Sequence, residues 1–234
     1  MLYSHVVDAK FCSRQNRFIA KVSLCGKEVL VHMKNTGRLR ELLVPGADVV
    51  LEKHDLTNSA RKTAYSLVGV RKGKSFVNID SQAPNFVMFE ALKKGLILPG
   101  LSYPASQIKK EAVFGSSRFD FFLQSGDQTA YLEIKGVTLE QKGIAMFPDA
   151  PTQRGIKHVQ ELAAAYRCGH LAYLIFIIQM ENISCLKPND LTHPAFGEAV
   201  RQAQSAGVQV LAYDCSVTRN SLTLNAPVPV DLTL

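Results

Sequence analysis

The chain has no Cys-x-x-Cys pair. Its five cysteines, Cys12, Cys25, Cys168, Cys185 and Cys215, are odd in number and widely scattered. That pattern argues against a disulfide framework or a structural zinc site and for plain reduced thiols. Long apolar runs are also lacking. The longest, LAYLIFII at 171–178, is far too short to span a bilayer and reads as a buried strand. The opening MLYSHVVDAKF has no basic stretch leading into an apolar one. No secretory leader is therefore read, and a cytoplasmic location without a membrane partner is the expectation. Neither an internal repeat nor a low-complexity stretch is visible.

What is present is an ordinary globular composition with an uneven charge. The 234 residues are 47% hydrophobic and 20% charged, enough for a buried core and unlike a disordered chain. That length suits one large domain or two small ones. Residues 1–80 hold 14 Lys and Arg against 7 Asp and Glu, whereas 81–234 hold 13 of each. The whole net charge of +7 thus belongs to the first third. A basic segment favours polyanions, since each neutralised phosphate releases counterions.

The chain changes grammar near Asp80. Before it, RFIAKVSL, EVLVHM, ADVVLEKH, TAYSLVGVRKG and SFVNID are short alternating runs separated by turn signals such as NTG and PGAD. Close-set short strands without a long helix predict a small β-barrel, best matched by an OB-like barrel over residues 1–80. After it, residues 81–234 predict the order α-β-β-β-α-β-α-β, a mixed α/β layer domain. Its first helix places Phe86, Phe89 and Leu92 or Lys93 at helical spacing. Its second, TQRGIKHVQELAAAYRC, turns Ile156, Val159, Leu162, Ala163 and Tyr166 to one side. The fold class is two-domain α+β.

The chemistry lies in the second segment. Asp120 sits in RFDFFL, and Glu133 and Lys135 sit in YLEIKGV. A strand has a side-chain period of two, so Glu133 and Lys135 share a face while Ile134 points to the core. Charges in apolar strands need a partner or a metal. One reading is a Mg²⁺ or Mn²⁺ site in which Asp120 and Glu133 are ligands and Lys135 stabilises charge on a phosphate. The other is a buried ion pair between Lys135 and one carboxylate. Glu90 and Glu111 are further carboxylates for the metal or, equally, solvated charges. Arg154, Lys157, His158 and Glu161 share the helix face opposite the apolar one, a phosphate-binding face or an ordinary solvent face. Pro148-Asp149 is a Pro-Asp pair with no ExK after it at strand spacing. In the first segment Arg14, Arg17, Lys34, Asn35, Arg38 and Arg40 cluster near turns. The loop KNTGRLR reads as a phosphate contact, with Asn35 and Thr36 as donors, or as a turn that needs Asn and Gly for its backbone.

SRFDFFL, YLEIKGVTL and FPDAPTQRGIKHVQEL, with RFIAKV and VHMKNTGRLRELLVPG, resemble the sugar fermentation stimulation protein A (SfsA) family from about Phe11 to Tyr213. The resemblance implies an N-terminal OB-like domain joined to a C-terminal domain of the PD-(D/E)xK nuclease fold. It implies DNA binding and a role in regulating sugar (maltose) metabolism. Asp120, Glu133 and Lys135 fall on the nuclease-type motif, and Arg154, Lys157 and His158 on the helix block. Phe119 stands where the motif has proline.

Two functions remain open. The chain is a metal-dependent nuclease that grips DNA with its basic barrel, or a DNA-binding regulator that keeps the fold without cutting. A homodimer is a plausible assembly, since nucleases of this fold often pair.

Overall fold

The alternating pattern of the first segment closes on itself. The computed structural model describes residues 1–35, 37–55, 57 and 61–233. Strands β1 (Val6–Arg14), β2 (Ile19–Leu24), β3 (Lys27–Met33), β4 (Asp48–Lys53) and β5 (Tyr65–Lys72) lie in the order β3-β2-β1-β4-β5. A parallel pairing of β3 with β5, His32 opposite Ser66 and Met33 opposite Leu67, joins the two ends. The result is a closed five-stranded barrel of the expected OB-like kind. Ala20, Val22, Val31, Met33 and Leu51 fill it and are fully buried, while Lys21 and Ser23 between them face outward, as a period of two requires. A sixth strand, β6 (Ser75–Asn78), hairpins onto β5.

The second domain follows as α1 (Ala83–Lys93), β7 (Gln107–Phe114), β8 (Ser117–Ser125), β9 (Gln128–Val137), β10 (Leu139–Gln141), β11 (Ile144–Phe147), α2 (Gln153–Arg167), β12 (Leu171–Ile178), β13 (Cys185–Pro188), α3 (Pro194–Ser205), β14 (Gln209–Val217) and β15 (Leu222–Pro227). The main sheet runs β15-β14-β12-β9-β8-β7. Its central strand β12 is parallel to β9 and to β14. LAYLIFII is that strand, apolar throughout because α-helices cover both faces of the sheet. Strands β10, β11 and β13 form a small separate sheet. These three and β15 were not expected. Three or four residues are too few to display an alternation, and β15 carries polar residues on an edge.

Two helix faces differ from expectation. Helix α1 buries Ala83, Val87, Met88 and Leu92, which leaves Phe86 47% exposed. Helix α2 buries Val159, Leu162 and Ala163 as read, but it turns His158 inward and leaves Tyr166 exposed. One apolar core holds the barrel interior together with the α2–α3 side of the sheet, and a second lies under α1. Gln179, just past β12, bonds the two domains: its Nε2 donates to Asn78 Oδ1 at 2.8 Å and to the Asp80 carbonyl at 3.0 Å. Among the described residues, no helix is long and apolar enough to cross a membrane.

Candidate active site: a cleft with two carboxylates

The site forms where the β8–β9 ladder stops. These strands pair from Ser125 opposite Gln128 to Phe121 opposite Leu132. The next positions are Asp120 and Glu133. Here a side chain replaces the backbone partner: Ile134 N donates to Asp120 Oδ2 at 2.7 Å. Opposite Asp120 on β7, Glu111 takes a left-handed backbone conformation, φ 53°. Such a conformation costs a non-glycine residue roughly 1–3 kcal/mol and is concentrated at functional sites.

Each carboxylate is held by a different helix. Asn85, in the first turn of α1, donates from Nδ2 to Asp120 Oδ1 at 2.7 Å. His158, on α2, places Nδ1 2.5 Å from Glu133 Oε1. Arg154, one turn earlier, donates from Nε to His158 Nε2 at 3.4 Å. With Nε2 accepting, a neutral ring carries its proton on Nδ1 and donates it to Glu133. Lys135 Nζ lies 2.6 Å from that same oxygen, Glu133 Oε1. The other oxygen, Glu133 Oε2, is buried and has no hydrogen-bond partner among the described residues.

The electrostatics follow from this geometry. Burial and the nearby Glu133 charge push Asp120 up to about 6, against the pull of the Ile134 amide, Asn85 and Lys135. Burial would also raise Glu133, but the hydrogen bond from His158 and the charge of Lys135 outweigh it and hold Glu133 below its ordinary value. Two carboxylates so close, one with an unfilled oxygen, form an environment that a hard cation relieves.

These groups line a cleft of about 240 Å³, with Arg118, Arg154 and Glu111 at its walls. Room for an ion therefore exists beside the Lys135–Glu133 pair. Among the described residues, no group of three or more Asp, Glu, His or Cys side chains is arranged around one point. Mg²⁺ is commonly held by one or two carboxylates, with waters and substrate phosphate completing its shell, so the donor set fits that ion. Gly136, next to Lys135, has no space for a side chain: a Cβ there would lie 2.7 Å from Gln179 Oε1 and 2.8 Å from Pro84 Cγ. That close approach packs β9 against the start of α1.

The remaining expected residues divide. Asp120, Glu133, Lys135, Arg154 and His158 come together, and Glu111 stands at the wall with Arg118 3.9 Å away. His158 serves as the buried partner of Glu133 instead of facing solvent. Lys157 is exposed and 3.8 Å from Glu161. Glu90 is not brought to the cleft, and its Oε2 accepts from the Met1 amino group at 2.6 Å. Asn85 and Arg118 were missed. Arg118 stands two residues before Asp120 on β8, so the strand period of two already put both on one face; nothing local ties Asn85 to Asp120, which lies 35 residues beyond it.

In the barrel, two cations point into the fold. The Arg14 guanidinium donates to the carbonyls of Asn16, Gly37, Arg38, Arg17 and Asn35 at 2.5–3.2 Å. Lys34 pairs with buried Asp80 at 2.9 Å. Asn35 donates to the Ile79 carbonyl and accepts from Gly37 N, the backbone role left open above. Arg14, Lys34 and Asn35 are thus engaged by their own chain, while Arg17, Arg38 and Arg40 expose their side chains. Thr36 lies outside the described residues. Asp149, of the Pro-Asp pair, accepts from Arg38 N at 2.8 Å and so ties this loop to the second domain.

Comparison with known proteins gives a consistent result. The family described as "Sugar fermentation stimulation protein RE domain" matches residues 82–221, and "SfsA N-terminal OB domain" matches residues 12–79. A sugar fermentation stimulation protein homolog of Desulfitobacterium hafniense (strain Y51) is 50% identical over 232 residues, covering 99% of each chain. One from Clostridium acetobutylicum is 49% identical over 225 residues, covering 96% of each. The solved structure of Pyrococcus furiosus SfsA in complex with Ca²⁺ is similar with a TM-score of 0.88 and 27% identity, over 99% of this chain and 98% of that one.

Proposed function

This chain belongs to the sugar fermentation stimulation protein family, and we propose that it binds nucleic acid, DNA first, and hydrolyses its phosphodiester bonds with a divalent metal ion at Asp120 and Glu133. One observation carries the reading: the buried, unpartnered Glu133 Oε2 beside a carboxylate pushed up to about 6. A pure binder gains nothing by turning carboxylates toward phosphate. The Pyrococcus furiosus relative was solved with Ca²⁺, and Ca²⁺ and Mg²⁺ share a preference for oxygen donors.

Asp120 and Glu133 would hold Mg²⁺ or Mn²⁺, with Glu111 the nearest further carboxylate at the wall. The chemistry that ion supplies when bound is polarisation of a phosphoryl oxygen and acidification of an attacking water. Asn85 fixes Asp120, and His158 fixes Glu133 so that Oε2 stays free. Lys135 stabilises the negative charge that develops on the phosphate. Arg154 and Arg118 neutralise neighbouring phosphates, and Arg17, Arg38 and Arg40 extend the basic surface over the barrel.

A second reading is favoured by the Lys135–Glu133 contact of 2.6 Å: the lysine stays on its carboxylate, and the chain binds DNA without cutting. The regulation of sugar (maltose) metabolism that the family resemblance implies is compatible with either reading. Incubating single- and double-stranded DNA and RNA with Mg²⁺ or Mn²⁺ separates the two. Cleavage is expected in the wild type. It should fall roughly 100-fold or more in Asp120→Ala, Glu133→Gln and Lys135→Ala with binding retained. A wild type that cuts nothing leaves only the binder.

A further inference from the structure

Beside the carboxylates, on the α1 side, lies a second hollow of about 370 Å³. It shares Ser81, Asn85, Glu111 and Asp120 with the cleft, so the two make one concave surface. Its far wall is different in kind. Phe86 is 47% exposed on the side of α1 away from the buried Ala83, Val87 and Met88. Lys110, on β7, holds its ammonium 3.7 Å from the Phe89 ring centroid and 5.6 Å from that of Phe86. Phe89 in turn stacks on buried Phe121, centroids 6.3 Å apart and planes 6° apart. Phe86 and Phe121 thus line the hollow, and Lys110 brings a cation to the same wall. Asn85, at the junction of the two hollows, donates its amide nitrogen to Asp120.

We propose that this hollow receives an unpaired nucleobase of the same strand whose phosphate lies at Asp120 and Glu133. The substrate class is then single-stranded nucleic acid, or a nucleotide turned out of a duplex. The proposal rests on the nucleic-acid reading above and names its substrate. An exposed phenylalanine alone is ordinary. Here it adjoins the carboxylates, with a lysine beside it for the backbone. A solvent-facing ring and a cation are the two elements by which proteins hold single strands. The volume lies within the roughly 300–1,000 Å³ of ordinary ligand pockets. A paired base is stacked inside its helix and cannot enter a recess, whereas an unpaired base presents its face and edge together.

The test uses the full chain with oligonucleotides that carry 2-aminopurine, single-stranded or paired, in Ca²⁺. Binding and fluorescence are measured for wild type, Phe86→Ala, Phe86→Tyr and Lys110→Ala, and cleavage in Mg²⁺ is followed separately. The wild type is expected to prefer the single strand and to quench the fluorophore on binding. Phe86→Ala should weaken single-strand binding about 5- to 150-fold and abolish the quench, Phe86→Tyr should keep both, and Lys110→Ala should weaken binding. A wild type that prefers intact duplex, or a Phe86→Ala that binds single strands like wild type, overturns this proposal; cleavage lost in Glu133→Gln would then leave the metal reading standing. If no oligonucleotide binds at all, both fall.

Discussion

The barrel loop around Lys34–Arg40 and the cleft at Asp120 and Glu133 are both rich in charge, and both read as phosphate contacts in the sequence. They use that charge in opposite ways. In the loop, Arg14 and Lys34 direct their donors at carbonyls and at Asp80 of their own chain. In the cleft, after Lys135 and His158 are counted, one oxygen of Glu133 is still unfilled among the described residues. Charged groups whose bonding capacity is filled internally hold the fold. Groups left short of a partner, at the cost of burial, are the ones built to receive a ligand.

The sharpest way to break that contrast is Arg14→Ala. It strands several carbonyls at once, and the expected loss is roughly 2–4 kcal/mol of unfolding free energy in urea. Arg38→Ala and Arg40→Ala, by contrast, should stay within about 0.5 kcal/mol of wild type and should each lower the salt slope of nucleic-acid binding by about 1. If Arg14→Ala costs no more than Arg38→Ala, the clamp is wrong.

His158 comes next. His158→Ala should weaken divalent-ion binding, measured by calorimetry without nucleic acid, about 10- to 100-fold, the effect common for partners that orient a ligand. His158→Asn, whose amide can replace the Nδ1 donor, should recover most of it. Equal affinity in all three proteins would remove His158 from the site.

The smallest effect is a pH dependence in the metal-free protein. Asp120 is pushed up to about 6 in the folded chain, against 3.8 ordinarily. Between those values the folded state binds more protons than the unfolded state, so stability falls as pH rises from about 4 to about 6. Asp120→Asn removes that penalty. It should stabilise the chain at pH 7 by about 1–2 kcal/mol and hardly at all below pH 4. Asn85 can rotate its amide to accept from the new Asn. A variant no more stable than wild type at pH 7 would show that Asp120 ionises freely. Arg14→Ala and Asp120→Asn thus have opposite signs, one group serving stability and the other function.

Much of the fold was legible. Two segments of different periodicity, the central position of LAYLIFII and the shared face of Glu133 and Lys135 follow from side-chain spacing along single elements. Phe86 was misread because α1 carries apolar residues on more than one side and so does not announce which side meets the sheet, and His158 because the partner that lets its polar ring be buried, Glu133, is 25 residues away. Strands β10, β11 and β13 were too short to show a period. The Pro-Asp pair at 148–149 looked inert because its partner, the Arg38 amide, is 111 residues away.

The sequence by itself determined the domain order, the barrel, the segregated charge and the shared face of Glu133 and Lys135. These rest on patterns that repeat within a few residues, and local geometry enforces them. Only the tertiary structure decided that the β8–β9 ladder opens at Asp120, that α1 grips one carboxylate and α2 the other, and that Arg14 and Lys34 are consumed by the fold. Those outcomes depend on strand register and on which buried donors meet which acceptors across long separations. Spacing along the chain carries no information about such encounters until packing brings the partners together.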